Sequence, residues 1–128
     1  MRRIQAETGA QVGCDTKPNE EPIRLKAEPS LAYPASELTN ITADDASPDE
    51  LEVAFLGLFG PNGALPLHYT QLVIDRSRHK DNALRDFLNI FNHRWLSLFY
   101  RAWEKTHYAS AFETSRRLGK EDPITRAL

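Results

Sequence analysis

The sequence predicts an α+β fold, a small antiparallel β element packed with a long, mostly buried α-helix and one or two shorter helices. Three observations predict it. Residues 23–27 alternate apolar and polar side chains with period two, as a half-buried strand does, and residues 51–59 resume period two in a more apolar stretch. Residues 84–103 place large apolar side chains at steps of three and four. Between these stretches lies a turn rich in glycine and proline, residues 60–66. A chain of 128 residues with 41% hydrophobic and 27% charged side chains is sized for one domain.

Residues 1–21 follow a short helix-like start with Gly9, Gly13, Pro18 and polar side chains, which marks an N-terminal arm or the remnant of a preceding element. The domain proper then occupies 22–128. Ile23, Leu25 and Ala27 share one face of the first strand, with Arg24 and Lys26 on the other and Pro22 and Pro29 bracketing it. Residues 30–38 contain Pro34 and read as extended, and Asp44, Asp45, Ser47, Pro48 and Asp49 read as an acidic loop. The second strand, residues 51–59, puts Leu51, Val53, Phe55 and Phe59 on one face while Leu56 and Leu58 make the other apolar too. A covered strand of this kind is expected to pair antiparallel with the first.

In the turn, Pro61 and Asn62 suit the central positions and Gly63 a positive φ. Pro66 then opens a helix over residues 67–78. Asp81 or Asn82 suits the cap of the long helix, which is expected from about Ala83 to Lys105, with continuation through Tyr108 and Phe112 toward Leu118 as the longer alternative and Gly119 as a stop. Its apolar stripe is Leu84, Phe87, Leu88, Phe91, Trp95, Phe99, Ala102 and Trp103. Ile90, Leu96 and Leu98 lie off the stripe and leave a narrow polar strip of Asp86, Asn89, His93, Ser97 and Glu104. Such a helix needs cover on most sides, and Asn89, Asn92, His93 and Arg94 then need specific partners, because a stranded buried polar group costs about 1–3 kcal/mol. Asp122 and Pro123 make a good start for a further helix close to the last residue, so a truncated fragment of a longer protein is expected.

Composition narrows the function classes. Net charge is −2, which gives no global attraction to nucleic acid or anionic membrane. The basic groups at 76–80 and 116–120 read as solvated helix ends. A single cysteine, Cys14, forbids an internal disulfide and suits a reducing compartment. Charges at Asp86, Arg94 and Arg101 interrupt the richest apolar segment, so no direct membrane span is expected. The N-terminus lacks the apolar core of a secretory signal.

Chemical motifs are sparse. His68, His79, His93 and His107 lack the spacing of a helical zinc site, and no metal or cofactor is expected. Gly57, Gly60 and Gly63 invite a phosphate-loop reading, but no Gly-Lys-Ser/Thr follows. Asp86, His93 and Ser97 share a helical face, which admits a hydrolase as an alternative function, although successive turns of one helix hold side chains parallel instead of converging them. Arg94 and Arg101 beside Tyr100 and Trp103 admit a nucleic-acid-binding module, against which the near-neutral charge argues. No catalytic residue is assigned.

Three ordered blocks carry a resemblance. They are Phe55-Leu-Gly-Leu-Phe-Gly-Pro-Asn-Gly-Ala-Leu-Pro-Leu-His-Tyr-Thr70, Leu84-Arg-Asp-Phe-Leu-Asn-Ile-Phe-Asn-His-Arg94 and Leu98-Phe-Tyr-Arg-Ala-Trp-Glu-Lys105. The text closely resembles the TssG family (also called VasB or ImpH) of bacterial type VI secretion baseplate subunits, from about Ile23 through Glu28-Pro-Ser-Leu-Ala-Tyr-Pro34 to the last residue. It departs at Gln71 and Asn89, where the family usually carries acidic residues. The resemblance implies the front portion of a TssG-like domain and a structural, non-enzymatic role in a contractile injection system. It also implies assembly with TssF and TssK, and more widely with other baseplate and spike components, at a cytoplasmic baseplate docked to the inner-membrane complex. Gly57, Gly60, Pro61, Gly63, Pro66, His68 and Tyr69 form the family-motif turn. Trp95, Phe99, Tyr100 and Trp103 are the candidate packing or interface anchors, with His93, Arg94 and Arg101 as orienting hydrogen-bond groups. A buried Trp103 predicts a loss of about 3–5 kcal/mol in Trp103→Ala by urea denaturation.

Overall fold

The computed structural model describes residues 11–14, 17, 21–44, 47–117 and 119. Three strands come first, β1 (Ile23–Ala27), β2 (Leu38–Asp44) and β3 (Ser47–Val53), followed by three helices, α1 (Leu67–Arg78), α2 (Ala83–Thr106) and α3 (Tyr108–Arg117). The fold is α+β. Its sheet has the order β1-β3-β2 and is mixed.

Strand β1 behaves as its alternation predicts, with Ile23, Leu25 and Ala27 buried and Lys26 paired to Glu50 at 2.6 Å. Its partner runs the other way from the expectation. β1 and β3 are parallel, from Ile23 opposite Asp49 to Ala27 opposite Val53. The reason is β2, which pairs antiparallel with β3 and returns the chain so that β3 runs along β1. Part of the expected acidic loop is therefore strand. Ser47, Pro48 and Asp49 open β3, and Pro48 precedes the stretch paired with β1, where its missing N–H does no harm. Strand β3 ends at Val53, short of the expected Phe59, and residues 54–59 bend toward a bridge between Gly57 and Gly63.

Two apolar clusters make the core. One joins Val12, Ile23, Leu25, Leu51, Val53 and Leu96, with Phe55, Leu56 and Tyr100 against it. The other joins Ala27, Phe59, Val73 and Leu88, with Leu58, Leu65 and Leu84 against it. Val12 is 1% exposed, so this part of the N-terminal segment is an integral piece of the core.

Pro66 stands at the cap of α1, as its fixed φ favours, and Thr70 and Val73 are the buried residues of that helix. Lys80, at φ 62°, turns the chain into α2. There Asp81 takes both an Arg76 guanidinium N–H at 2.9 Å and the Ala83 N–H at 3.2 Å. The Arg76 hydrogen bond, then that of Ala83, holds the Asp81 carboxyl below the usual carboxylate range. The long helix ends at Thr106, next to the expected Lys105, and does not run on unbroken toward Leu118, because His107 takes extended backbone with ψ 98° and stacks on Trp103. After α3, Gly119 has φ 61° and donates its N–H to the Arg116 carbonyl, the expected stop. The helix-like start of the N-terminal arm with Gly9 and Pro18, the acidic Asp45 and the helix start at Asp122 and Pro123 lie outside the described residues.

Phe59 is 2% exposed beneath the turn, against Val73 and Leu88. Phe59→Ala is expected to cost about 3–5 kcal/mol in urea denaturation, the usual cost of deleting a buried aromatic ring.

Candidate functional site

Helix α2 turns its polar side inward. Asn89, Asn92 and Ser97 are buried along with Leu88 and Leu96, whereas Phe87 is 56% exposed, Ile90 66%, Trp95 48% and Phe99 51%. Phe91, Leu98 and Ala102 face solvent too. The expected assignment of faces is thereby corrected. Most of the apolar stripe points away from the sheet, and the side carrying the asparagines packs on it.

The reason is the free edge of β1. A strand at a sheet edge has N–H groups with no ladder partner, and a buried N–H without an acceptor is costly. Helix α2 supplies acceptors from its side chains. Leu25 N–H donates to His93 Nδ1 at 3.1 Å, and Ala27 N–H donates to Asn89 Oδ1 at 3.2 Å. The spacing makes this possible: two residues of strand advance about 6.6 Å and four residues of helix about 6 Å, so acceptors at i and i+4 meet donors at j and j+2. Asn92 extends the row, taking the Leu58 N–H on its Oδ1 at 2.8 Å and donating to Asn89 Oδ1 at 3.0 Å.

These bonds fix the His93 tautomer. Nδ1 accepts from a backbone N–H, so the ring proton sits on Nε2, which donates to Glu21 Oε2 at 3.0 Å. Farther along the helix, Arg94 and Arg101 both donate to the Gly13 carbonyl, at 3.4 and 3.0 Å. Gly13 has φ 74°, and a Cβ there would lie 3.1 Å from both Cβ and carbonyl oxygen of Ser97. The chain thus crosses α2 where a glycine meets a serine.

The turn residues serve the same seam. A Cβ on Gly57 would meet the Ala27 Cβ at 2.8 Å, which explains why the Leu58 N–H can come within reach of Asn92. The positive φ expected at Gly63 is instead at Gly60, at 108°, and the Gly60 N–H donates to Thr70 Oγ1 of α1. Pro61 is half-buried, while Pro66, His68 and Tyr69 are exposed at the helix entrance, the His68 and Tyr69 rings 4.4 Å apart. Trp103 is half-buried between Tyr100 and His107, with ring centroids 5.8 and 4.1 Å away. Truncating it therefore costs less than the figure for a buried ring, roughly the 0.5–1.5 kcal/mol of its stacking plus a partial burial contribution. Phe99 packs on Phe55 at 5.6 Å.

Among the described residues Asp86, His93 and Ser97 do not converge on one another. His93 lines a cleft of about 670 Å³ with Glu21, Arg24, Lys26, Asp86 and Asn89, but both its ring nitrogens are engaged and no hydroxyl or thiol is among the described lining residues. Ser97 Oγ donates to the Arg94 carbonyl at 2.8 Å, and Asp86 pairs with Arg85. Arg94 and Arg101 each give one guanidinium N–H to the Gly13 carbonyl. Among the described residues no group of three or more His, Cys, Asp or Glu could hold a metal ion, and no described helix is long and apolar enough to cross a membrane.

The comparisons add a family. The model for Type VI secretion, TssG, matches residues 1–128, including the arm before Ile23. No curated protein and no solved structure matches the chain.

Asn92 is fully buried and is the acceptor for Leu58 N–H. Asn92→Ala is expected to cost about 1–3 kcal/mol for the stranded donor, beyond the lost packing, with faster amide exchange at Leu58 as the local readout.

Proposed function

We propose, for a chain that belongs to the type VI secretion TssG family, a scaffold role in which the outward face of α2 docks against baseplate partners. Family membership makes the chain a component of the type VI secretion baseplate, a structural subunit family. The finer reading is that it assembles with TssF and TssK into the wedge on which the contractile tail is built, on the cytoplasmic side of the inner membrane. Other baseplate and spike components would join the same assembly.

One observation carries this reading. Phe87, Phe91, Trp95 and Leu98, at helical steps of four, four and three, stand exposed on a helix whose opposite side is already fastened to the sheet. A contiguous apolar patch of this kind marks an interaction site on a soluble protein, and aromatic anchors of Trp and Phe type supply most of the energy at such contacts. His93, Arg94 and Arg101 orient α2 from the rear, so their role in docking is indirect.

The test is co-expression with TssF and TssK from the same bacterium, followed by affinity capture at moderate salt. Wild type is expected to retain TssF. Phe91→Asp combined with Trp95→Asp is expected to reduce retention at least about tenfold, a loss of about 1.4 kcal/mol or more, while circular dichroism and melting stay near wild type. Undiminished retention by the double variant would overturn the assignment of this face. Failure of wild type to retain either protein would overturn the proposed partners.

A further inference from the structure

The two edges of the sheet are treated differently. On β1, the outward N–H groups of Leu25 and Ala27 end on His93 and Asn89. On β2 the one side-chain acceptor found for a strand N–H among the described residues is Ser36 Oγ, which takes the Leu38 N–H at 3.4 Å at the start of the strand, and Leu38, Thr39, Asn40, Ile41 and Thr42 are all exposed. The exposed apolar side chains Leu38 and Ile41 lie on this strand. Of the devices that keep an edge from pairing, the stretch Leu38-Thr-Asn-Ile-Thr42 lacks lysine, proline and inward charge, and has only irregularities of register at its two ends.

We propose that the edge of β2 accepts an extended, lysine- or arginine-bearing segment of another polypeptide as a fourth strand. The backbone decides the form of the occupant, because a row of alternating N–H and C=O groups is matched by another strand. Charge decides its composition. Residues 37–52 hold six acidic residues and no basic one, Glu37, Asp44, Asp45, Asp49, Glu50 and Glu52. Of these, Glu50 is neutralised by Lys26. An acidic hairpin disfavours an acidic strand, and it equally disfavours the same hairpin of a second copy. Register shifts on either side confine the regular part of β2 to Asn40–Thr42, opposite Glu52, Leu51 and Glu50. The ladder is therefore short, and binding depends on both backbone pairing and charge. This surface is separate from the α2 face and does not rest on its assignment.

The test uses the full chain and a capped octapeptide of alternating Val and Lys, followed by fluorescence anisotropy and by hydrogen exchange of the protein's amides. Saturable binding is expected, weakened several-fold as salt rises from about 50 to about 500 mM, with added protection confined to β2. Two sibling peptides separate the causes. One keeps the sequence but is N-methylated at alternate residues, which removes one edge of donors. The other replaces Lys with Glu. Each is expected to bind at least about tenfold more weakly than the parent. Equal binding of the N-methylated peptide would overturn strand addition in favour of plain charge attraction. Protection outside β2, or concentration-dependent pairing of the chain with itself through β2, would overturn the proposed occupant.

Discussion

The structure depends on side-chain acceptors of one helix closing the backbone of one strand. Strand β1 has β3 on one side and α2 on the other, and the helix does there what a fourth strand would do. A helix can substitute for a strand only where four helical residues match two strand residues, which Asn89 and His93 do opposite Ala27 and Leu25. Once that match is made, Leu88 and Leu96 must fall into the two apolar clusters on either side of it, and Asn92 must meet the loop at Leu58. The glycines follow from the same closeness. Gly57 lets the loop approach β1, and Gly13 lets the N-terminal segment lie on Ser97.

A helix bound through its polar side presents its apolar side outward. Burial of Phe87, Phe91, Trp95 and Leu98 inside this chain would require α2 to roll, and rolling would strand the N–H groups of Leu25, Ala27 and Leu58 together. Each stranded donor costs about 1–3 kcal/mol, so the seam resists rotation cooperatively. Because successive residues on a helix are about 100° apart, a slip of one position would redirect the whole aromatic row. The seam thus acts as an index for the surface on the far side.

The sequence disclosed extents better than orientations. Strand β1 is legible from Ile23, Leu25 and Ala27 because one face is buried, and α2 is legible from Ala83 onward because its apolar steps are long and regular. Strand β2 is not. Neither face is covered, Leu38 and Ile41 are three residues apart, and no period-two signal remains for the eye to find. The parallel pairing of β1 with β3 was hidden for the same reason, since the intervening strand that reverses the chain had no signature. On α2 the rule that the apolar stripe faces the core failed because the core here needed acceptors as well as apolar volume. A signal was present: Asn89, Asn92 and His93, at i, i+3 and i+4, are short acceptor-bearing side chains in an otherwise aromatic helix. Of the residues marked as anchors, Trp95 and Phe99 stand exposed while Tyr100 and Trp103 are half-buried in a stack of rings. His93, Arg94 and Arg101 do orient, but toward their own chain.

The clasp at Gly13 ties distant parts of the described chain, the Gly13 carbonyl and the Arg101 guanidinium being 88 positions apart in sequence. Its consequence is one of timing. At about 5–20 residues per second, a ribosome that has made Val12 works for several more seconds before Leu96 and Arg101 exist to receive it. Throughout that interval β1 has an open edge and the first apolar cluster lacks its lid. Closure of such distant contacts is slow relative to local helix formation, so the aromatic face of α2 is complete before it is aimed.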